Sequence, residues 1–513
     1  MKTKLMISIL LLLAVTMQAQ MPQMGQQANS GMTARTFTLN LTEDGKAQMV
    51  CFLPKTPSGK AIVGVPGGGY SMLSNTHEGT LAADWMNKQG IAYFVVNYRL
   101  PNGDRTIPIG DVEKGIRIVR DSSETWGICP HDVGIMGFSA GGHLASVIST
   151  LSDYDVRPNF TILFYPVISM DERVSHKWSC INFLGEEGHK DPQLVKQYST
   201  QNAVRRHLTP PAIIITANDD RLVPPVTNGV AYYTAMRNAG NECAMYIYPT
   251  GDHGFGFGPW FKYHDQMLTD LGNWLSNHQV QTSKDKGQTP IKVACIGNSI
   301  TDGHGIDMAP ASGYPAVLQQ LLGNDYWVKN FGVSARTMLN KGDYPYMNEM
   351  AWRDALAFLR PEGSKQAELE RKPDIVIIKL GTNDSKPENW QYGAEFKQDL
   401  VQMITTLRPD LAQPAKKKGK KSKKSPDTLH PSPEIYLCTP IPAFKPTWNI
   451  NDSVIVNAII PIQQEVAKEY GLQVIDLHTL FANDGDKMLF DGIHPDGKGA
   501  RRMAEIIFEK LKN

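Results

Sequence analysis

The sequence predicts an α/β protein made of two successive units, each a mostly parallel sheet covered by helices. Three observations predict it. Short, nearly continuous apolar runs alternate with helical patterns from residue 35 to 278. A polar segment ending in proline, QVQTSKDKGQTP (279–290), interrupts that pattern. Beyond it the alternation restarts and continues through 291–513. Strands that are apolar on both faces suit a sheet buried on both sides, which is the parallel arrangement. The length of 513 residues also exceeds what one hydrophobic core usually organises.

The elements follow in chain order. Lys2 and Lys4 precede the apolar run LMISILLLLAV, and TMQAQ follows it, so 1–20 reads as a signal peptide. Export to the periplasm or the exterior is expected. No apolar run is long enough to span a bilayer, so stable membrane insertion is not expected. In the first unit, strands are expected at AIVGV (61–65), IAYFVVNY (91–98), VGIMGF (133–138), FTILFYPV (160–167), AIIITA (212–217) and AMYIYP (244–249). Helical patterns lie between them, as in DVEKGIRIVRDSSETWG and HDQMLTDLGNWLSNHQ. Segment 279–290 reads as a linker. In the second unit, strands are expected at IKVACIG, DIVIIKL (374–380), EIYLCTP (434–440) and LQVIDL (472–477), before a final helix in ARRMAEIIFEKLKN. Within it, KKKGKKSKKSPDTLHPSP (416–433) has mutually repelling lysines and no apolar face, so a mobile surface insertion is expected.

Charge and cysteine usage narrow the partners. Fifty-two basic residues face 51 acidic ones, a net +1, so nothing global suggests nucleic acid. The six cysteines show no framework spacing. Cys295 and Cys438 lie in strand-like runs and read as buried thiols, while a disulfide among Cys51, Cys129, Cys180 and Cys243 stays open.

Two constellations carry chemistry. GFSAGG (137–142) fits G-x-S-x-G directly after a strand and before the helical stretch HLASVISTL. Its glycines allow the sharp turn that holds the Ser139 oxygen clear of the sheet. A serine needs a base, and the base needs an orienting acid. TANDDRLVPP supplies Asp220, with Asp219 as fallback, and GDHGFG supplies His253. In PGGGY (66–70) the backbone is bare enough to approach a substrate. Gly68 or Gly69, with the N–H of Ala140, is expected to form an oxyanion hole.

In VACIGNSITDG (293–303), Ser299 likewise follows a strand. Partners recur at later strand ends: Gly332 in NFGVSA, Asn383 in GTND, and Asp491 and His494 in DGIHPDGKG. That acid and that base stand three positions apart, so one turn can aim both inward. Asp302 and His304 lie close after Ser299, but no further ligand cluster converges by spacing, and no metal or cofactor is expected.

The first half resembles the α/β-hydrolase family, and more closely its secreted carbohydrate-esterase-like branch, through PGGGY, NTHEG (75–79), YRLP (98–101), GFSAGGH and D-x-x-V-P in that order. The second half, from 291 to 513, resembles the SGNH (GDSL-type) hydrolases, whose three-layer fold is flavodoxin-like, with G-N-S-I standing for G-D-S-L. That resemblance implies an oxyanion hole from the N–H of Ser299, Gly332 and the Asn383 side chain. Together the two imply two independent serine esterase sites that remove acyl groups, mainly acetyl, from plant polysaccharides such as xylan. The acylated polysaccharide or oligosaccharide is the expected partner. Sequence leaves open a silent carbohydrate-binding half, a lipase or lysophospholipase activity, a feruloyl ester substrate and the oligomeric state.

Overall fold

Each half of the chain builds one sheet in the computed structural model, which describes residues 33–278, 290–306, 313–360, 372–412 and 433–512. The expected signal peptide lies outside the described residues. So do the expected linker and lysine-rich insertion, except for Pro290 and Pro433.

The first sheet contains β1 (Thr33–Asn40), β2 (Gln48–Pro54), β3 (Ala61–Val65), β4 (Ala92–Asn97), β5 (Val133–Phe138), β6 (Thr161–Phe164), β7 (Ala212–Ala217) and β8 (Cys243–Tyr248). Among the described residues its strand order is β1-β2-β4-β3-β5-β6-β7-β8. β3 to β8 run parallel, while β2 joins both β1 and β4 antiparallel. Burial on both faces follows from the residue pattern. In β5, Val133 and Ile135 pack on one side with Leu144 and Ile148 of the helix Ala140–Leu151. Met136 and Phe138 pack on the other with Phe164 and Phe257. The continuous apolar run therefore serves two cores at period two.

The second sheet contains β9 (Ile291–Gly297), β10 (Tyr326–Gly332), β11 (Ile375–Lys379), β12 (Glu434–Cys438) and β13 (Gln473–Ile475). Its order among the described residues is β10-β9-β11-β12-β13, all parallel. Val376 and Ile378 face one core and Ile375 and Ile377 the other. The expected α/β class, mostly parallel sheets covered by helices, is the observed architecture.

Three strands differ from expectation. β1 alternates exposed and half-buried positions at the sheet edge, β2 alternates buried and half-buried ones, and β10 carries Lys329 and Asn330 inside a half-buried strand. β1 and β10 lack the continuous apolar run that marks a strand covered on both sides. β2 has one, MVCFL (49–53), with Met49, Cys51 and Leu53 on one core and Val50 and Phe52 against the other.

The halves touch through residues that precede strands of the first sheet. The Arg157 guanidinium, ahead of β6, lies 2.5 Å from the Asp354 carboxylate of the helix Met350–Phe358, and both side chains are buried. Tyr154 and Leu208 pack against the second half's core. Because these contacts lie at the N-terminal ends of β6 and β7, the opposite ends stay available. Removing one partner of a buried pair strands a desolvated charge. Asp354→Ala is therefore expected to cost about 3–5 kcal/mol in denaturant unfolding, and a loss under 1 kcal/mol would count against the pair.

Candidate active sites

In the first half, Ser139 joins β5 to the helix Ala140–Leu151 with φ 51° and ψ −118°, a conformation costly for a side-chain-bearing residue. The surroundings enforce it. A Cβ on Gly137 would come within 2.2 Å of the Gly141 carbonyl, and one on Gly141 within 2.2 Å of the Val65 carbonyl. Strand and helix thus meet too closely for any other residue at these two positions.

Ser139 Oγ lies 2.8 Å from His253 Nε2, and His253 Nδ1 lies 2.7 Å from Asp220 Oδ2. Asp220 is fixed in turn, since its Oδ1 accepts the N–H groups of Leu222 and Val223 at 3.0 and 2.9 Å. With Nδ1 donating to the carboxylate, Nε2 presents its lone pair to the serine hydroxyl. Asp219 has a different partner set: its Oδ1 accepts the N–H groups of Gly251 and Asp252, each at 2.9 Å, and so braces the loop that carries His253.

Gly68 and Gly69 have φ of 119° and 64°, and their N–H groups have no partner among the described residues. Glu78 supports this loop, accepting the Gly67 N–H at 3.1 Å and the Tyr165 hydroxyl at 2.9 Å. The Tyr165 ring meets the His253 ring edge-on at 4.7 Å. Burial pushes the Glu78 carboxyl up, against the hydrogen bond from Tyr165. In the sequence Glu78 stands out only as part of NTHEG, and nothing there singles out Tyr165. Segment 168–190 packs beside the glycines, with Asn182 donating to the Gly69 carbonyl at 2.9 Å.

In the second half, Ser299 opens the one-turn helix Ser299–Asp302 after β9, and Asn298 caps it by accepting the Ile300 N–H at 3.2 Å. Ser299 Oγ lies 2.8 Å from His494 Nε2, and His494 Nδ1 lies 3.0 Å from Asp491 Oδ2. Burial raises the Asp491 carboxyl, but the N–H groups of His494 and Ile493 outweigh it and hold it below the ordinary carboxylate range. Burial lowers the His494 imidazole, helped by His304 and Lys379 and opposed by Asp491. His304 lies 4.7 Å from the His494 ring and Trp448 lies 5.3 Å from it. Trp448 is held at φ 52° and is 52 % exposed, so an indole face stands open beside the imidazole. Neither neighbour has a sequence signal that ties it to His494.

The Gly332 expectation needs correction. Its N–H donates to Asn330 Oδ1 at 2.8 Å, and a Cβ there would lie 2.3 Å from the Asp302 nitrogen. Gly332 thus lets β10 pack against the Ser299 turn, and its donor is already used. Three residues on, Ala335 has φ 68°, and its N–H has no partner among the described residues. Asn383 Nδ2 donates to the adjoining Arg336 carbonyl at 3.0 Å, leaving its second amide hydrogen available. Asp384 locks the two loops together by accepting the N–H groups of Leu339 and Met338 at 2.8 and 3.1 Å. The positive φ of Ala335 is hidden in the sequence, so nothing there singles out its open N–H.

All six cysteines are free. The two carboxylates of the first half differ testably. Asp220→Asn is expected to cut Ser139-dependent kcat by about 10⁴-fold, as loss of an orienting acid does. Asp219→Asn is expected to cut it by less than about tenfold, with both read in a Ser299→Ala chain; equal losses would contradict the geometry.

Comparison with known proteins agrees with this architecture. A family description named GDSL-like Lipase/Acylhydrolase matches residues 295–502, and the BD-FAE description matches 50–233. The chain is 71% identical over 512 residues, the full length of both proteins, to the acetylxylan esterase of Xylanibacter ruminicola. It is 31% identical over 208 residues to endo-1,4-beta-xylanase B of Butyrivibrio fibrisolvens, covering 37% of this chain and 31% of that one. Among solved structures, the acetyl ester-xyloside bifunctional hydrolase from Caldicellulosiruptor lactoaceticus is 30% identical with a TM-score of 0.44, covering 48% of this chain and 98% of that one. The chain is a carboxylic ester hydrolase and belongs to the family of the Xylanibacter ruminicola acetylxylan esterase, with a BD-FAE α/β-hydrolase region followed by a GDSL-like region.

Proposed function

We propose that the chain is an exported two-domain serine esterase that removes acyl groups, chiefly acetyl, from xylan-type polysaccharides through two independent sites. The observation that carries this reading is that serine, imidazole and carboxylate stand in hydrogen-bond sequence twice, with Oγ to Nε2 at 2.8 Å in each half. The substrate class rests on the acetylxylan esterase to which the chain is 71% identical. Export rests on the basic and apolar pattern of 1–20.

At the first site, Ser139 Oγ bonds to the ester carbonyl carbon as its proton passes to His253 Nε2. The carbonyl oxygen becomes an anion and meets the N–H groups of Ala140 and of Gly68 or Gly69. The carbon–oxygen bond to the sugar then breaks as Nε2 returns the proton to the sugar oxygen. Water repeats the sequence on the acyl-serine, releasing the acid and restoring the hydroxyl. Ser299 and His494 run the same steps at the second site, where the N–H groups of Ser299 and Ala335 and the Asn383 amide face the oxyanion. Asp220 and Asp491 hold the imidazoles in the right tautomer and stabilise their charged forms.

Acetate release from acetylated xylan tests this reading. Ser139→Ala and Ser299→Ala are each expected to retain part of the activity, and the double variant to lose about 10⁶-fold. A single variant as inactive as the double one, across a panel of esters, would leave only one working site. The pH profile adds a check on the second site. His494 must be neutral to accept a proton, and its surroundings depress its pKa. In a Ser139→Ala chain, kcat/KM is expected to rise with pH through a midpoint below the ordinary histidine value of about 6.5; a midpoint above it would contradict the environment described.

A further inference from the structure

The turn that carries Ser299 is held from outside its own half. A four-residue helix leaves most of its terminal carbonyls without intrahelical partners. In Ser299–Asp302 the first half supplies two of the missing donors. His207 Nε2 donates to the Asp302 carbonyl at 2.8 Å, and Arg206 Nη2 donates to the Gly303 carbonyl at 3.0 Å. Both side chains also approach the Asp302 carboxylate, with His207 Nε2 at 3.2 Å and Arg206 Nε at 3.3 Å from Oδ1.

The Asp302 carboxylate is the hinge of this arrangement. Its other oxygen accepts the Ser334 hydroxyl, and Ser334 adjoins Ala335. One side chain therefore ties the nucleophile turn to the loop that presents the Ala335 N–H. Burial opposes ionisation of Asp302, but His207, Ser334 and Arg206 outweigh it and keep the carboxyl below its ordinary range. The His207 ring is only 5% exposed, and its backbone is held at φ 63°. That strain is imposed within the first half, where Asn241 Oδ1 accepts the His207 N–H at 3.1 Å and Asn241 Nδ2 donates to the Arg205 carbonyl at 2.9 Å. A non-glycine residue kept in the left-handed region and buried against another half's active-site turn has a positional task.

We propose that Arg206 and His207 of the first half are positioning residues of the second active site, fixing Ser299 relative to the Ala335 N–H through Asp302. Neither residue touches substrate. The first half thus has two separate duties: chemistry at the C-terminal ends of its strands and support of the second site near the N-terminal end of β7. The proposal rests on the reading that Ser299 is a working nucleophile.

The test uses full-length chains and p-nitrophenyl acetate. In a Ser139→Ala background, where only Ser299 turns over, His207→Ala is expected to lower kcat about tenfold with KM changed less than about twofold. His207→Gln keeps a donor near the Nε2 position and is expected to recover most of the loss. Arg206→Ala and Asp302→Asn are expected to fall in the same direction. In a Ser299→Ala background the same substitutions are expected to leave Ser139 turnover within about twofold, which separates local positioning from general unfolding. An unchanged kcat for His207→Ala, a Gln variant no better than Ala, or equal losses at both serines would overturn the proposal. If Ser139→Ala itself is no more active than the Ser139→Ala/Ser299→Ala double variant, the two-site reading fails first, and this proposal fails with it.

Discussion

Both proposed sites depend on one hydrogen bond, between a serine Oγ and an imidazole Nε2 at 2.8 Å. A serine hydroxyl is a poor nucleophile unless a neutral nitrogen stands ready to take its proton. That nitrogen must hold a fixed tautomer, which requires an acceptor on the opposite side of the ring. Parallel sheets suit this requirement because they gather distant chain segments at one strand end. In the first half, Ser139 follows β5, Asp220 follows β7 and His253 follows β8.

The two halves meet the same constraint by different local means. Ser139 sits on a strained turn made possible by bare backbone at Gly137 and Gly141. Ser299 needs no such strain; it opens a one-turn helix capped by Asn298. Asp220 and His253 come from separate strand ends, so a second acid, Asp219, braces the histidine loop. Asp491 and His494 share one turn, and the carboxylate that orients the ring also accepts the His494 N–H. The shorter construction at the second site goes with outside support, which the first half supplies at Asp302 and Gly303.

Much of this was legible in the sequence because chemistry at strand ends leaves short, ordered motifs. Ser139, His253, Ser299 and His494 each follow an apolar run or precede a helix, and the structure brings each to the partners expected. Asp220 was preferred to Asp219 through its place in D-x-x-V-P, and it is Asp220 that stands 2.7 Å from His253 Nδ1. The bracing role of Asp219 was not legible, because it depends on where the backbone aims that carboxylate. β1 and β10 were illegible because half-buried strands lack the continuous apolar run of central ones, whereas β2 carries such a run, MVCFL, and was missed although it could have been read. Gly332 looked like an oxyanion donor because glycine is the usual signal for an open N–H. Here its bareness serves close packing against Asp302, and an alanine at positive φ has the unused donor. The Arg206 and His207 contacts were invisible for another reason: they join residues about a hundred positions apart, across two units that the sequence pattern treats as separate.

The central claim is that both serines are activated in the same molecule. Its most direct test is the intact mass of the full-length chain after saturation with a fluorophosphonate, which bonds only to activated serines. Two adducts per chain are expected, one on the peptide containing Ser139 and one on that containing Ser299, with one adduct lost in each single alanine variant. A single adduct at saturation, or a second adduct that survives both alanine substitutions, would contradict the account.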